Sequence, residues 1–272
     1  MALDDISLTA GMRANLISLQ NTSNLINRTE NRLSTGKYVN SALDNPTNYF
    51  AAQNATQRAG DLSARKDAMS QAVQTVSAAN AGITAITGLI AAAQGLTQSA
   101  LATSDTNALS KLSVQYDTIR TQIDNLSSDS SYQGLNLLSS SNTLTVIFNE
   151  TSSSKLNVIG FLANSTGLSL TANSGNWQSA SNITTDSAKL STALTTLRTN
   201  SQTLAANLNI ITTRQSFTDD MINTLQTGAD NLTLADLNQE GANMLMLQTR
   251  QSLGTTSLSL SSQAAQSVLK LF

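Results

Sequence analysis

Apolar residues spaced alternately four and three apart leave residues 190–225 few ways to fold. Leu190, Leu194, Leu197, Leu204, Leu208, Ile211, Ile222 and Leu225 fall on one such lattice, with Ser201, Gln215 and Thr218 as its polar interruptions. A mean spacing of about 3.5 keeps these side chains on one stripe of an α-helix, facing a partner helix, as coiled-coil packing requires. As one uninterrupted helix the run would be on the order of 54 Å long.

Two more stretches follow the same rule. Leu62, Met69, Val76, Ile83 and Ile90 lie seven apart, and Ala72, Ala79, Ile86 and Ala93 supply a second, mostly small seam position. Leu109, Leu112, Tyr116, Ile119, Ile123 and Leu126 alternate three and four. Thr103-Ser104-Asp105 reads as a turn and N-cap between them. The spacing predicts helices over 58–101 and 107–128 as an antiparallel pair, with a long helix over 186–227 as a third member. These seams are expected to form core within one chain.

The ends read differently. Met12, Leu16, Leu19, Ile26 and Leu33 share a lattice whose polar steps are Ser23 and Glu30. At the other end Thr233 and Asp236 fit a variant capping box. Beyond it lie Leu247, the seven-spaced Leu253 and Leu260, then Leu258, Val268, Leu269 and Leu271. A lone pair of terminal helices cannot bury faces this extensive, and helical stability comes largely from such burial. These residues are therefore expected to meet other chains.

Residues 139–182 change character. Leu144, Val146 and Phe148 alternate toward one side, and KLNVIGF and GLSLT are two more short strand candidates among Ser, Thr and Asn. They read as an insertion at the distal end of the helical hairpin. The expected fold is mainly α: an elongated, coiled-coil-like helical bundle with paired terminal helices and a small β-rich cap. Its two domains would be 1–40 plus 234–272, and 41–233.

Composition narrows the function. Only 12% of residues are charged, about half the usual share. A surface that becomes interface tolerates this better than a solvated one. The net charge of −2 favours neither nucleic acid nor an anionic membrane. Without histidine or cysteine, the commonest general base, the commonest metal ligand and all thiolate chemistry are missing. Gly36-Lys37 is followed by Tyr38 and has no phosphate-loop pattern. The adjacent Asp219 and Asp220 point different ways on a helix and read as a solvated face, and Gly82, Gly88 and Gly95 as packing or flexible positions. No enzyme activity, cofactor or metal is expected. No secretory signal and no 18-residue apolar run are visible, so membrane insertion is not expected either.

Several motifs in order resemble bacterial flagellin: LSTG at 33–36, NSALDN at 40–45, SYQGLNLL at 131–138, and LQTRQSLGTTSLSLSSQAAQSVL at 247–269. Pro46 and the bulky Tyr49-Phe50 stand where many flagellins place small residues. The resemblance implies a minimal flagellin with almost no outer domain. Its terminal helices would form the inner tube of a filament, and its 33–45 segment a spoke-like connection. It implies a structural subunit for swimming motility in an extracellular flagellum, exported by a type III route. Hook-junction proteins, cap proteins and an export chaperone would be partners beside other copies of the chain. The alternatives are a hook–filament junction protein and a non-flagellar secreted coiled-coil protein acting on membranes.

Overall fold

A computed structural model describes residues 10–269. Five helices dominate: α1 (Ala10–Thr35), α2 (Pro46–Leu101), α3 (Thr106–Asp129), α4 (Ala180–Thr233) and α5 (Leu237–Leu269). Two small antiparallel hairpins, β1 (Ser131–Tyr132) with β2 (Leu135–Asn136) and β3 (Thr143–Ile147) with β4 (Lys155–Ile159), lie between α3 and α4. The fold class is the one expected. Among the described residues, contacts divide the chain into two compact units: 10–57 with 224–269, and Arg58–Asn223.

In the Arg58–Asn223 unit the heptad seams meet in one core. Met69, Val76, Ile83, Ile90, Tyr116, Ile123, Leu190, Leu197, Leu204 and Ile211 are all at most 3% exposed. Leu62 is buried too, and Leu112, Ile119, Leu194 and Leu208 are partly buried against the same cluster. The polar interruptions are used as well. Gln94 Nε2 donates to Ser191 Oγ at 3.4 Å, Ser201 Oγ to Asn80 Oδ1 at 2.8 Å, and Gln215 Nε2 to Ser70 Oγ at 2.9 Å. Lys66 pairs with Asp219 at 2.6 Å. As the number rises along α4 it falls along α2, so the two helices are antiparallel and the polar pairs mark their register. Asp219, read from sequence as merely solvated, thus has a partner.

An 18-residue window of α2 has a mean hydropathy of 1.5, long and apolar enough by composition to cross a membrane. Asn80, Thr84 and Thr87 interrupt the segment, so it is not a continuous apolar run, and its high mean has a local origin. Its physical cause is the close spacing of Ile83, Ile86, Ile90 and Ala93, all of which are buried in the bundle core.

Helix ends follow local chemistry. Asp105 caps α3, accepting from the Asn107 amide at 2.9 Å. α2 begins twelve residues before the expected position 58, at Pro46. Asn45 Oδ1 accepts from the Asn48 amide at 3.1 Å, and proline occupies the first helical position, where its missing N–H costs nothing. α4 likewise runs past both expected ends, over 180–233.

After α3 the chain turns through Gln133 and Gly134, both at positive φ, the two-residue turn that matches strand twist. Asn136 Nδ2 donates to the last α3 carbonyls, Ser127 O at 2.8 Å and Ser128 O at 2.9 Å. Here Gly82 is required: a Cβ at this position would lie 2.2 Å from Ser130 Oγ. Gly88 and Gly95 face open space.

The β-rich insertion lies beside the bundle, not at its distal end. Glu150, at the β3–β4 tip, pairs with Arg58, and Arg214 stands 5.3 Å from the Phe148 ring. From there residues 163–178 return along α3 as a strap. Asp124 accepts from the Ser165 amide at 2.6 Å and its hydroxyl at 2.9 Å, and Asp117 from the Asn173 amide at 3.1 Å and Nδ2 at 2.6 Å. The strand expected at GLSLT does not form. Asn164 and Ser165 accept from the Gly167, Leu168 and Leu170 amides, so local turns take the bonds a ladder would need. The strap ends in Gly175, Asn176 and Trp177, three consecutive residues at positive φ. Trp177 is wholly buried, its ring 5.2 Å from Tyr116, and its Nε1 donates to Asp186 Oδ2 at 2.9 Å. Lys189 pairs with the same carboxylate at 3.0 Å.

Candidate assembly interface

The unit formed by 10–57 and 224–269 carries the features that point outward from a single chain. Its frame is α1 packed on α5. Asn15 Nδ2 donates to Ser257 Oγ at 3.0 Å, Leu19 sits over Gly254, and Arg32 Nη1 donates to Glu240 Oε1 at 3.0 Å. The helices are therefore antiparallel.

The inner face of α1 steps through Met12, Asn15, Leu19, Thr22, Ile26, Thr29 and Leu33, each buried or partly buried. The second seam position is filled by Asn15, Thr22 and Thr29, not by Leu16, Ser23 and Glu30 as the sequence lattice implied. Thr22 shows why this works. Its hydroxyl donates to Ser18 O at 2.9 Å, which satisfies the polar atom within the helix and leaves the methyl for the seam. On α5 the inner face includes Glu240 and Leu247, both buried, with Gly254 and Leu258 partly buried.

The residues expected to contact other chains thus fall into two groups. Met12, Leu19, Ile26, Leu33, Leu247 and Leu258 are covered or half covered within the chain. Leu16, Leu253 and Leu260 are exposed, Leu253 at 66%. Leu271 and the side chains of Val268 and Leu269 lie outside the described residues. The exposed group has members that the sequence reading passed over: Ile17 and Leu25 on α1, and Leu245 and Met246 on α5. Met246 was legible, since it lies seven before Leu253. Together Ala242, Met246, Thr249, Leu253, Thr256 and Leu260 make a second 4-3 stripe on the outer face of α5. Ala242, Leu245, Met246, Thr249, Arg250 and Leu253 line a shallow groove along it. Among described residues past Glu240, Arg250 is the only charge on α5. An unpartnered apolar stripe at coiled-coil spacing can bind another helix, and burying one such leucine is worth about 2 kcal/mol.

The root of the helix pair is built differently. Gly36, the glycine of LSTG, ends α1 at φ +68°, the left-handed cap that glycine adopts without strain. Lys37 then pairs with Leu234. The Tyr38 and Val39 amides donate to Thr233 O at 2.7 and 3.2 Å, and the Ala235 amide to Gly36 O at 3.0 Å. The α5 cap is Asp236 alone, accepting from the Asn238 and Gln239 amides at 2.9 and 3.2 Å. Thr233 ends α4 instead, its hydroxyl donating to Ala229 O at 2.9 Å. Arg32 and Glu240 are 11% and 6% exposed, and the guanidinium lies 3.7 Å from the Tyr38 ring centre.

NSALDN forms a turn around one carboxylate. Asp44 Oδ2 accepts from the Asn40 and Ser41 amides, each at 3.1 Å, and from the Ser41 hydroxyl at 3.2 Å. Burial pushes the Asp44 carboxyl up. The hydrogen bonds and the Arg28 charge outweigh that and hold it below the usual carboxylate value.

Comparison with known proteins bears on this arrangement. Residues 6–143 match the family model described as the bacterial flagellin N-terminal helical region. The chain is 30% identical over 276 residues to flagellin FljM of Caulobacter vibrioides, covering 100% of both chains. It is 29% identical to a flagellin of Brucella melitensis over 94% of this chain and 95% of that one. A crystal structure of Bacillus cereus flagellin aligns with a TM-score of 0.47 at 16% identity, covering 54% of this chain and 86% of that one.

Proposed function

Because the chain belongs to the bacterial flagellin family and is a structural subunit of the flagellar filament, we propose that its copies join through the outer faces of α1 and α5. The observation that carries this is the uncharged apolar stripe at Met246, Leu253 and Leu260, exposed in the single chain and spaced for a partner helix. Leu16, Ile17 and Leu25 are the exposed apolar side chains of α1 that would take part, and Val268, Leu269 and Leu271 are proposed as further contact residues. Under this reading 1–40 and 234–272 form the inner-tube domain and 41–233 the helical bundle domain. A head-to-tail contact repeated without closing yields a helical polymer.

We place the working protein outside the cell, exported by the type III route, with hook-junction proteins, cap proteins and an export chaperone as further partners. The junction-protein alternative is not favoured, since relatives matching over the full length are flagellins. The test is seeded growth followed by electron microscopy. Wild-type protein should extend short filament seeds into long filaments of uniform diameter. Leu253→Asp should stay monomeric with an unchanged melt of the Arg58–Asn223 unit. Growth of Leu253→Asp at the wild-type rate would sink the interface.

A further inference from the structure

Within the α1–α5 pair, Arg32 and Glu240 are buried beyond what their chemistry favours. Two charges taken out of water lose most of what their attraction returns, so such a pair is a poor source of stability and a good source of specificity. Arg32 Nε, moreover, is buried without a hydrogen-bond partner. The seam beside them needs specificity. Along α1 one inner position reads Met12, Leu19, Ile26, Leu33, and the other reads Asn15, Thr22, Thr29. Every heptad offers the same kinds of residue, so sliding α1 by seven along α5 would re-form much the same contacts. A repeating seam specifies phase and leaves the heptad undetermined.

We infer that the Arg32–Glu240 pair is the register mark of the terminal helices: it positions α1 against α5 so that the outer stripe of α5 and the exposed apolar residues of α1 present one fixed surface to the next copy. The inference rests on the filament-subunit reading above. Three observations carry it. First, the pair is unique on the seam, because no other inner position of α1 or α5 holds a charge. Second, the contacts agree: from Asn15 to Arg32 the number rises by 17, and from Ser257 to Glu240 it falls by 17. Third, a slip of seven has a specific cost in either direction. One slip sets Arg32 against the buried Leu247, and the other sets Glu240 against Leu25, each leaving a desolvated charge without its partner. Gly254 adds a steric mark, since a Cβ there would lie 2.7 Å from Leu19 Cδ2. The root strengthens the device. Tyr38 stacks on the guanidinium, and the backbone pairing of Gly36–Val39 with Thr233–Ala235 brings the two helix ends together, so the mark engages where the pair begins.

Arg32 and Glu240 are therefore positioning residues for assembly, and their test must read register as well as growth. The chain has no cysteine, so a disulfide can report register directly. In the full-length protein, Asn15→Cys with Ser257→Cys should cross-link within each subunit of a filament. Adding Glu240→Gln, which keeps the volume and removes the charge, should lower that yield and slow elongation. Glu240→Arg should cut elongation by roughly tenfold or more, and Arg32→Glu with Glu240→Arg should restore most of it. Wild-type elongation and cross-linking in Glu240→Gln would overturn the assignment, as would failure of the charge swap to recover growth. Should wild-type protein itself fail to extend seeds, the filament reading falls; if the wild type and Glu240→Arg extend seeds alike, only the register assignment does.

Discussion

Trp177 stands at φ +55°, after Gly175 at +57° and Asn176 at +50°. A non-glycine residue in this region costs roughly 1–2 kcal/mol, so the turn persists only because something outweighs it. That something is the full burial of the indole, its contact with Tyr116 and its bond to Asp186. Trp177→Ala should cost about 3–5 kcal/mol in urea unfolding of the Arg58–Asn223 unit. Asn176→Gly should stabilise it by about 1 kcal/mol, since glycine adopts this backbone freely. Tyr116 supplies a pH signature. Burial first, then the Asp186 and Asp117 charges, push its hydroxyl up to about 12 from an ordinary 10.0. Below pH 10 both folded and unfolded chains keep the proton and the group is silent. Between 10 and about 12 the unfolded chain releases a proton that the folded chain retains, so stability falls as pH rises. The penalty approaches about 3 kcal/mol at the upper end of that window. Melting curves of wild type and Tyr116→Phe should coincide at pH 9 and separate by pH 11, with the phenylalanine variant the more stable; parallel curves would remove Tyr116 as the cause.

The helices divide by what their apolar residues face. Leu204 is buried in the seam of α4, and Leu253 is exposed on α5, although both read from sequence as heptad leucines. Leu204→Ala should destabilise the monomer by about 2–5 kcal/mol. Leu253→Ala should change monomer stability by no more than about 0.5 kcal/mol while slowing assembly. Chemical denaturation and seeded growth on the two variants would separate the roles. At this scale the sequence was most informative where the chain repeats. The seams of α2, α3 and α4 were legible because apolar residues fill most of the three- and four-spaced positions of each stripe. On α1 only Met12, Leu19, Ile26 and Leu33 were; the second inner position was not, because Thr22 and Ser23 look alike until one is seen to return its hydroxyl to its own backbone. The start of α2 carried a signal that was missed, an N-capping asparagine before a proline. The strap carried no periodic signal at all. Its clamps join Asp117 to Asn173 and Asp124 to Ser165, residues far apart in the chain whose pairing only the fold reveals.

Across the whole chain the two units rest on different chemistry. The Arg58–Asn223 unit buries isoleucine, leucine and tyrosine in its seams. The α1–α5 pair offers asparagine, threonine, glycine and one ion pair beside its few leucines and isoleucines. Folding free energy follows apolar area removed from water, so the first unit should hold together alone and the second should gain most when further surface is covered. The assembly role was legible at this scale from the low charge and from motifs at both ends. Which face of each terminal helix turns outward was not, because two 4-3 stripes on one helix look equivalent until a partner occupies one of them.

The single tryptophan gives these differences an optical form. Its emission belongs to the Arg58–Asn223 unit and is blind to α1 and α5, whereas far-ultraviolet ellipticity sums every helix in the chain. Recorded together through one urea titration, the two signals need not coincide. The ellipticity lost while the indole is still dark to solvent is a direct measure of the terminal pair, obtained without a label.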